Sequence, residues 1–444
     1  MLNKIRTLEA SARRLDPGPQ EREQLLNTVS AYAEDLLQAI PGAKTYVKDD
    51  SREGLLGLPF SEEPTHLEQL LTQYRREVDT TGILPASGGQ MGYIPGGGLF
   101  PSALGDFLAA ISNRYSGVSF AGPGAAEMES ALVRWICDVV GYPDSAAGDL
   151  ASGGSLATLS ALVTARDHCE IHHDAVPNAC IYMTAQVHHC VGSALHVAGL
   201  GAVHKRVVPM DACYRMDCNA LQTMIEGDRA RGLNPWLVVA SAGTTDTGAV
   251  DPIFDVAGLC ETYGLWFHLD AAYGGFFRLC EEGSEVLAGM SRADSIVMDP
   301  HKGLGLPYGT GAVLVRDGRR LARSFSYYAD YMQDAISRDR DAEEQYSPAD
   351  LSLELTRHFR GPRMWFPLKL FGLAPFRAAL SEKIWLARYF YEQLNAIPGW
   401  ELGPYPDLSV VAFRFVPDQG DADDFNKRIV EAVQADGKVF ISST

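Results

Sequence analysis

The chain has 444 residues, 46% of them hydrophobic and 21% charged, with a formal net charge of −18. That length supports a large core and more than one domain. The acidic balance argues against nucleic acid and anionic membrane as partners, and no apolar run reaches membrane-spanning length. Eight cysteines stand at 137, 169, 180, 190, 213, 218, 260 and 280, with no C-x-x-C pair and no zinc spacing. They read as reduced core thiols of a cytoplasmic protein, and no metal site is expected. The first residues, Met1 to Arg6, are amphipathic and lack the apolar core of a secretory signal.

Residues 1 to about 40 read as helix, because Leu8, Leu15, Leu25, Val29, Tyr32, Leu36 and Leu37 fall near helical spacing before Pro41-Gly42. A second helical stretch runs from His66 to Val78. Residues 82 to 124 are rich in Gly and Pro, and read as a surface loop or as a loop that carries function. Beside Tyr93 the tight glycines let backbone approach a ligand closely. A helix follows over 125 to 140, with Met128, Leu132, Trp135 and Ile136 on one stripe.

Beyond this the chain alternates. Ala151-Ser152-Gly153-Gly154-Ser155 leads into a helix carrying Leu156, Leu159, Leu162 and Val163. Strands are predicted at Ala179 to Met183, over Trp236 to Thr245 ending in a polar turn, over Leu265 to Gly275, and at Ser295 to Met298 and Gly311 to Val315. Helices are predicted at Val191 to Ala198 and Phe254 to Tyr263. Strand and helix at this spacing predict an α/β domain with a largely parallel sheet. A further strand, Val410 to Phe415, and a helix, Asp421 to Ala435, close the chain.

Several predicted strands end in residues that carry chemistry. Ile296-Val297-Met298 is an apolar run stopped by Asp299-Pro300, after which come His301, Lys302 and the turn glycines Gly303 and Gly305. A lysine there sits where α/β sheets bind ligands. Taken alone, Lys302 reads as a loop lysine in water, because lysines are rarely buried. Asp270 also ends an apolar strand, and a buried aspartate needs a partner. His188 follows another strand; alone it reads as a capping or core histidine, although an imidazole there can stack on a flat ring. The Gly153-Gly154-Ser155 turn offers free N–H groups at a helix N-terminus, which suits a phosphate, though Gly and Ser also cap helices for stability. An anion cradle, a buried aspartate, a stacking histidine and a strand-end lysine together point to pyridoxal phosphate, with Lys302 as the covalent amine and Asp270 on the ring nitrogen.

The sequence resembles the group II pyridoxal-phosphate-dependent amino-acid decarboxylases, of fold type I, nearest the aromatic-amino-acid branch. The resemblance is carried by Gly-Pro-Gly-Ala-Ala-Glu-Met-Glu (122–129), Ala-Ser-Gly-Gly-Ser-Leu-Ala-Thr-Leu (151–159), Gln-Val-His-His (186–189), Ala-Gly-Thr-Thr (242–245), His-Leu-Asp-Ala-Ala-Tyr-Gly-Gly (268–275) and Asp-Pro-His-Lys (299–302). It runs from about residue 50 to 380. It implies a seven-stranded, largely parallel sheet flanked by helices. It also implies three domains: 1–98, helical and packing on a partner chain; 99–364, which binds the cofactor; and 365–444, small and α+β. By resemblance Lys302 is the Schiff-base lysine and Asp270 the pyridinium partner. His188 stacks on the ring, and Ala272 packs against its other face. Gly154, Ser155 and His301 serve the phosphate, and Thr245 lies near the ring. Tyr93, Pro95 and Gly96 are expected, by the same resemblance, in the substrate pocket. Tyr331 falls on the tyrosine that protonates the carbanion after CO2 leaves, where aldehyde-forming relatives carry phenylalanine. The charged stretch 338–345 reads as the loop that closes over the site, or as a plain solvated linker.

What the resemblance implies is decarboxylation of an L-amino acid, aromatic by default, in a cytoplasmic homodimer with the site at the subunit interface. Another carbon–carbon lyase or an aldehyde-forming enzyme of the same fold is the alternative, followed by a non-catalytic binding descendant. Gly96 and Gly117 stand where the aromatic branch carries larger groups, which suggests a roomier pocket. Relatives continue for another strand and helix beyond the end of this chain.

Overall fold

The computed structural model describes residues 1–48, 54–55, 57, 60–94, 96–326 and 346–444. Packing divides the chain into two compact units, residues 1–93 with 426–443, and residues 94–425 with Thr444.

The larger unit is built on a seven-stranded sheet. Its strands are β1 (Ala147–Ala151), β2 (Ala179–Met183), β3 (His204–Val207), β4 (Asn234–Ser241), β5 (Trp266–Asp270), β6 (Ser295–Met298) and β7 (Gly311–Val315). Across the sheet the order is β1-β7-β6-β5-β4-β2-β3. Only β7 runs against its neighbours, β1 and β6. The five strands predicted from apolar runs are present. The edge strands β1 and β3 were not predicted, because Gly148 and Asp149 break the run in one and His204, Lys205 and Arg206 make the other polar. Edge strands carry less apolar character because one side lacks a neighbour.

The central strands are apolar on both faces, as parallel strands sandwiched by helices must be. Alternate residues feed two separate cores. Tyr182, Val238, Ala240, Phe267, Leu269, Ile296 and Met298 enter one. Ile181, Leu237, Val239, Trp266, Val297 and Val313 enter the other. The second core is covered by α3 (Gly154–His168) and α4 (His189–Val197), through Ala157, Ala161, Leu162, Val191 and Leu195. Asp270 shares the parity of Trp266, so it lies on the α3 and α4 face.

Residues 82 to 124 are not wholly loop. Phe100–Ser112 forms helix α1, and α2 spans Pro123–Val140. The proline beginning α1 sits in its first turn, where no N–H is needed. Gly117 is close-packed rather than roomy: a Cβ there would lie 2.3 Å from the Leu355 carbonyl oxygen.

The smaller unit begins with two helices, Leu2–Ala12 and Pro19–Ala39, where one was predicted. Pro17 and Pro19 cannot continue a helix, and Pro19 starts the next. Neither helix has a buried residue. A two-residue ladder pairs Tyr46–Val47 with Gly82–Ile83. The predicted C-terminal strand shortens to Phe413–Phe415, which pairs with Trp400–Leu402 in the larger unit.

A buried ionic cluster fixes the edge of the sheet. Arg357, whose side chain is wholly buried, pairs with Glu129 of α2 at 3.0 Å and with Asp149 of β1. It also donates to the Leu150 carbonyl at 2.6 Å, as Arg360 does at 3.0 Å. Glu129 takes the N–H groups of Arg360 and Gly361 at 2.7 and 3.1 Å. Burial pushes the Glu129 carboxyl up to about 7, with Arg357 opposing. Removing the arginine strands two buried carboxylates. Arg357→Ala is therefore expected to cost about 3–5 kcal/mol of stability in urea unfolding; a loss within experimental error would contradict this role.

Candidate active site

Five strand ends open on one cavity of about 330 Å3 in the larger unit. It forms there because β1, β2, β4, β5 and β6 all end at the same edge, and each leaves the sheet through a polar turn.

After β6, Asp299-Pro300-His301-Lys302 makes a single helical turn over Pro300–Gly303. The turn brings Lys302 Nζ to 3.2 Å from Asp299 Oδ2, an i,i+3 pair. The Asp299 side chain is 2% exposed, and its Oδ1 is buried with no hydrogen-bond partner among the described residues. Burial pushes the Asp299 carboxyl up, while the Lys302 and His301 charges hold it down. His301 turns away from solvent. Its Nδ1 faces the Thr310 backbone, and its Nε2 is 3.6 Å from Asp299 Oδ2. Burial pushes this imidazole below its ordinary range.

After β5, Asp270 lines the cavity, and its Oδ1 accepts the Ala272 N–H at 3.1 Å. Ala272 lines the same wall. Two residues earlier, His268 is fully buried with Nδ1 2.9 Å from Ser295 Oγ, and burial pushes it down to about 4.

After β2, His188 caps α4. Its Nδ1 accepts the Cys190 N–H at 3.3 Å, which puts the ring proton on Nε2. Burial, then the adjacent His189, lower this imidazole below its usual range. His188 thus caps the helix and lines the cavity at once. Gln186 beside it accepts from Thr244 and Thr247 at 3.0 and 2.7 Å, which fixes the turn after β4. Thr245 of that turn lines the cavity.

After β1, Ser152-Gly153-Gly154-Ser155 turns into α3, and Gly153, its N-cap, has no side chain to cap the first N–H groups. These N–H groups have no intrahelical partner by construction. A Cβ on Gly154 would stand 2.8 Å from Asp299 Oδ2, so glycine is required there. The result is an uncapped helix start, fit to hold an anion, directly above the Asp299–Lys302 pair.

Lys302, Asp270, His188, Gly154, Ser155, Thr245, Ala272 and His301 are therefore brought together around one cavity. Tyr93 belongs to the smaller unit, where its ring packs on Phe440 at 5.4 Å. Gly96, in the larger unit, has open space around its Cα. Pro95 and Tyr331 lie outside the described residues. Asp299, Gln186 and Tyr273 also line the cavity and were not singled out from sequence. For Asp299 the signal was present, an acid three residues before a lysine in one turn.

The donor set fits pyridoxal phosphate: a lysine amine, a carboxylate for a ring nitrogen, an imidazole beside the ring position and an uncapped glycine turn for the phosphate. Residues 50–416 match the family model for the pyridoxal-dependent decarboxylase conserved domain. An aromatic-L-amino-acid decarboxylase of Bacillus atrophaeus is 35% identical over 360 residues, covering 80% of this chain and 74% of that protein. A phenylacetaldehyde synthase of Arabidopsis thaliana is 26% identical over 396 residues, covering 86% and 80%. In fold, the crystal structure of Oryza sativa TDC with PLP and tryptamine superposes with a TM-score of 0.90 at 24% identity, covering 97% of this chain and 92% of that one. The chain belongs to the pyridoxal-dependent decarboxylase family, and its cofactor is pyridoxal phosphate.

Proposed function

We propose that the chain removes CO2 from an aromatic L-amino acid and releases the amine, at the cavity around Lys302. The observation that carries this is the grouping of Lys302, Asp270 and His188 beneath the uncapped start of α3. The aromatic class is supported by the 35% identical relative.

The bound cofactor supplies an electron sink for the pair left at Cα when CO2 departs. Lys302 would hold it covalently through Nζ, and Asp270 would pair with its ring nitrogen. His188 and Ala272 would pack against the ring. Gly154, Ser155 and His301 would hold the phosphate, with Thr245 as a further polar residue of the same cavity. A neutral His188, its proton on Nε2, can donate toward the substrate carboxylate. Tyr331 delivers the proton to Cα. Gly96 belongs to the substrate pocket by resemblance to the family.

The three segments then divide the work. Residues 1–98 pack on a partner chain, 99–364 hold the cofactor and 365–444 form the small C-terminal part. The homodimer is supported by an apolar stripe on α1: Phe100, Leu104, Phe107, Leu108 and Ile111 are all exposed, Ile111 at 70%. A stripe of that size on one helix needs a cover, and a second copy is the occupant we propose. All eight cysteines are free, which supports a reducing compartment, the cytoplasm. Among the described residues no helix is long and apolar enough to cross a membrane.

Four outcomes are expected. In a panel of L-amino acids assayed for CO2 release, the aromatic ones should be preferred, and Lys302→Ala should lose about 10^3-fold or more, the scale of losing a covalent catalytic group. Full activity in Lys302→Ala would sink the proposal. Tyr331→Phe should shift the product from amine toward aldehyde, the direction in which the phenylacetaldehyde synthase relative points; unchanged amine would remove Tyr331 from the chemistry. Ile111→Asp should shift the sedimentation coefficient from dimer to monomer, and an unmoved dimer would place the interface elsewhere.

A further inference from the structure

Asp299 has no place in the scheme above, yet it is the best-buried charged group beside Lys302. Its Oδ2 faces Lys302 Nζ at 3.2 Å and His301 Nε2 at 3.6 Å. Its Oδ1 has no hydrogen-bond partner among the described residues. The surrounding backbone closes on it: a Cβ on Gly154 or on Gly311 would lie 2.8 Å from one of its oxygens. The carboxylate is thus wedged under the turn that starts α3, the same turn that offers its N–H groups to an anion.

This arrangement holds two conflicting demands. Lys302 as an ammonium needs a carboxylate beside it, but an amine that bonds a carbonyl carbon must first lose a proton. A phosphate held by the α3 turn would meet the same carboxylate as a like charge across Gly154. One proton transfer meets both demands. We propose that Asp299 is the acid–base partner of Lys302: it takes one proton from the lysine ammonium when Nζ bonds the cofactor and keeps that proton as a neutral acid while the phosphate is held.

The step is balanced within the pair. One Nζ–H bond breaks, and its electrons become the nitrogen lone pair. One O–H bond forms on Asp299 Oδ2. The lysine and the aspartate each become neutral, no proton leaves for solvent, and the two hydrogens left on Nζ would depart with the carbonyl oxygen as one water. The other charged or titratable groups bearing on Asp299 are His301, on the same turn, and Asp270 at the end of β5. Burial pushes the His301 imidazole toward its neutral form, which weakens its hold on Asp299, and Asp270 adds negative charge, which favours the acid form of Asp299. Cys190 of α4 also feels Asp299, but burial pushes its thiol up to about 11, so it stays neutral and offers no competing charge.

This inference rests on reading Lys302 as the cofactor-bonding lysine, and the test separates the two. Cofactor-stripped wild type and the isosteric Asp299→Asn are titrated with pyridoxal 5'-phosphate by calorimetry in two buffers of different ionisation enthalpy. Borohydride trapping and peptide mapping locate the bond in each. The expected result is that Asp299→Asn releases about one more proton per bonded lysine than wild type, because the asparagine cannot keep it. Equal proton counts, with Lys302 trapped in both, would overturn the role of Asp299 and leave that of Lys302 intact. Trapping at a different lysine would overturn both. Should Asp299→Asn take up no cofactor, the wild type alone decides by infrared difference spectroscopy. A protonated-carboxyl band appearing on cofactor loading supports the transfer, and its absence overturns it.

Discussion

The site hangs on the step from β6 into a single turn of helix. Pro300 ends the strand and fits the first turn, and Lys302, three residues after Asp299, returns toward it at 3.2 Å. A lysine on a longer helix would point along the sheet edge, and one on a free loop would reach for water. Here the buried carboxylate holds the amine at the floor of the cavity. Everything else is arranged around that point: Asp270 one strand over, His188 at the start of α4, and the bare start of α3 above.

The parallel sheet makes this arrangement possible. Its interior is apolar on both faces, so polar side chains gather where strands end. Asp270 sits opposite Ser241 and Val297 in the ladder, which brings the ends of β4, β5 and β6 level. The glycines serve the same geometry from the other side. Gly154 and Gly311 let backbone close over Asp299, where any side chain would collide. The turn stays in place because its approach is pinned: Arg357 and Arg360 both hold the Leu150 carbonyl, four residues before Gly154.

Much of this was legible in the sequence. Apolar runs ending in Asp270, in Asp299-Pro300 and in Met183 announced buried strands with chemistry at their ends, because periodicity and termination are local properties. The reading failed where the answer depends on partners far along the chain. Strand β1 is held by β7 and by Arg357, both far along the chain, and no local run announces it. Gly117 suggested space, but Leu355 fills it. His188 was read as either a cap or a stacking ring, and one side chain does the first while standing where it can do the second. Asp299 was overlooked because it was read as a strand terminator; only the folded turn reveals it as an ion-pair partner.

The central claim is that Lys302, and no other lysine, carries the cofactor. It is tested most directly by loading the full chain with pyridoxal 5'-phosphate, reducing with borohydride and mapping the modified peptide by mass spectrometry. One modification per chain, on Lys302, is the expected result. Modification elsewhere, or none while CO2 release persists, would contradict it.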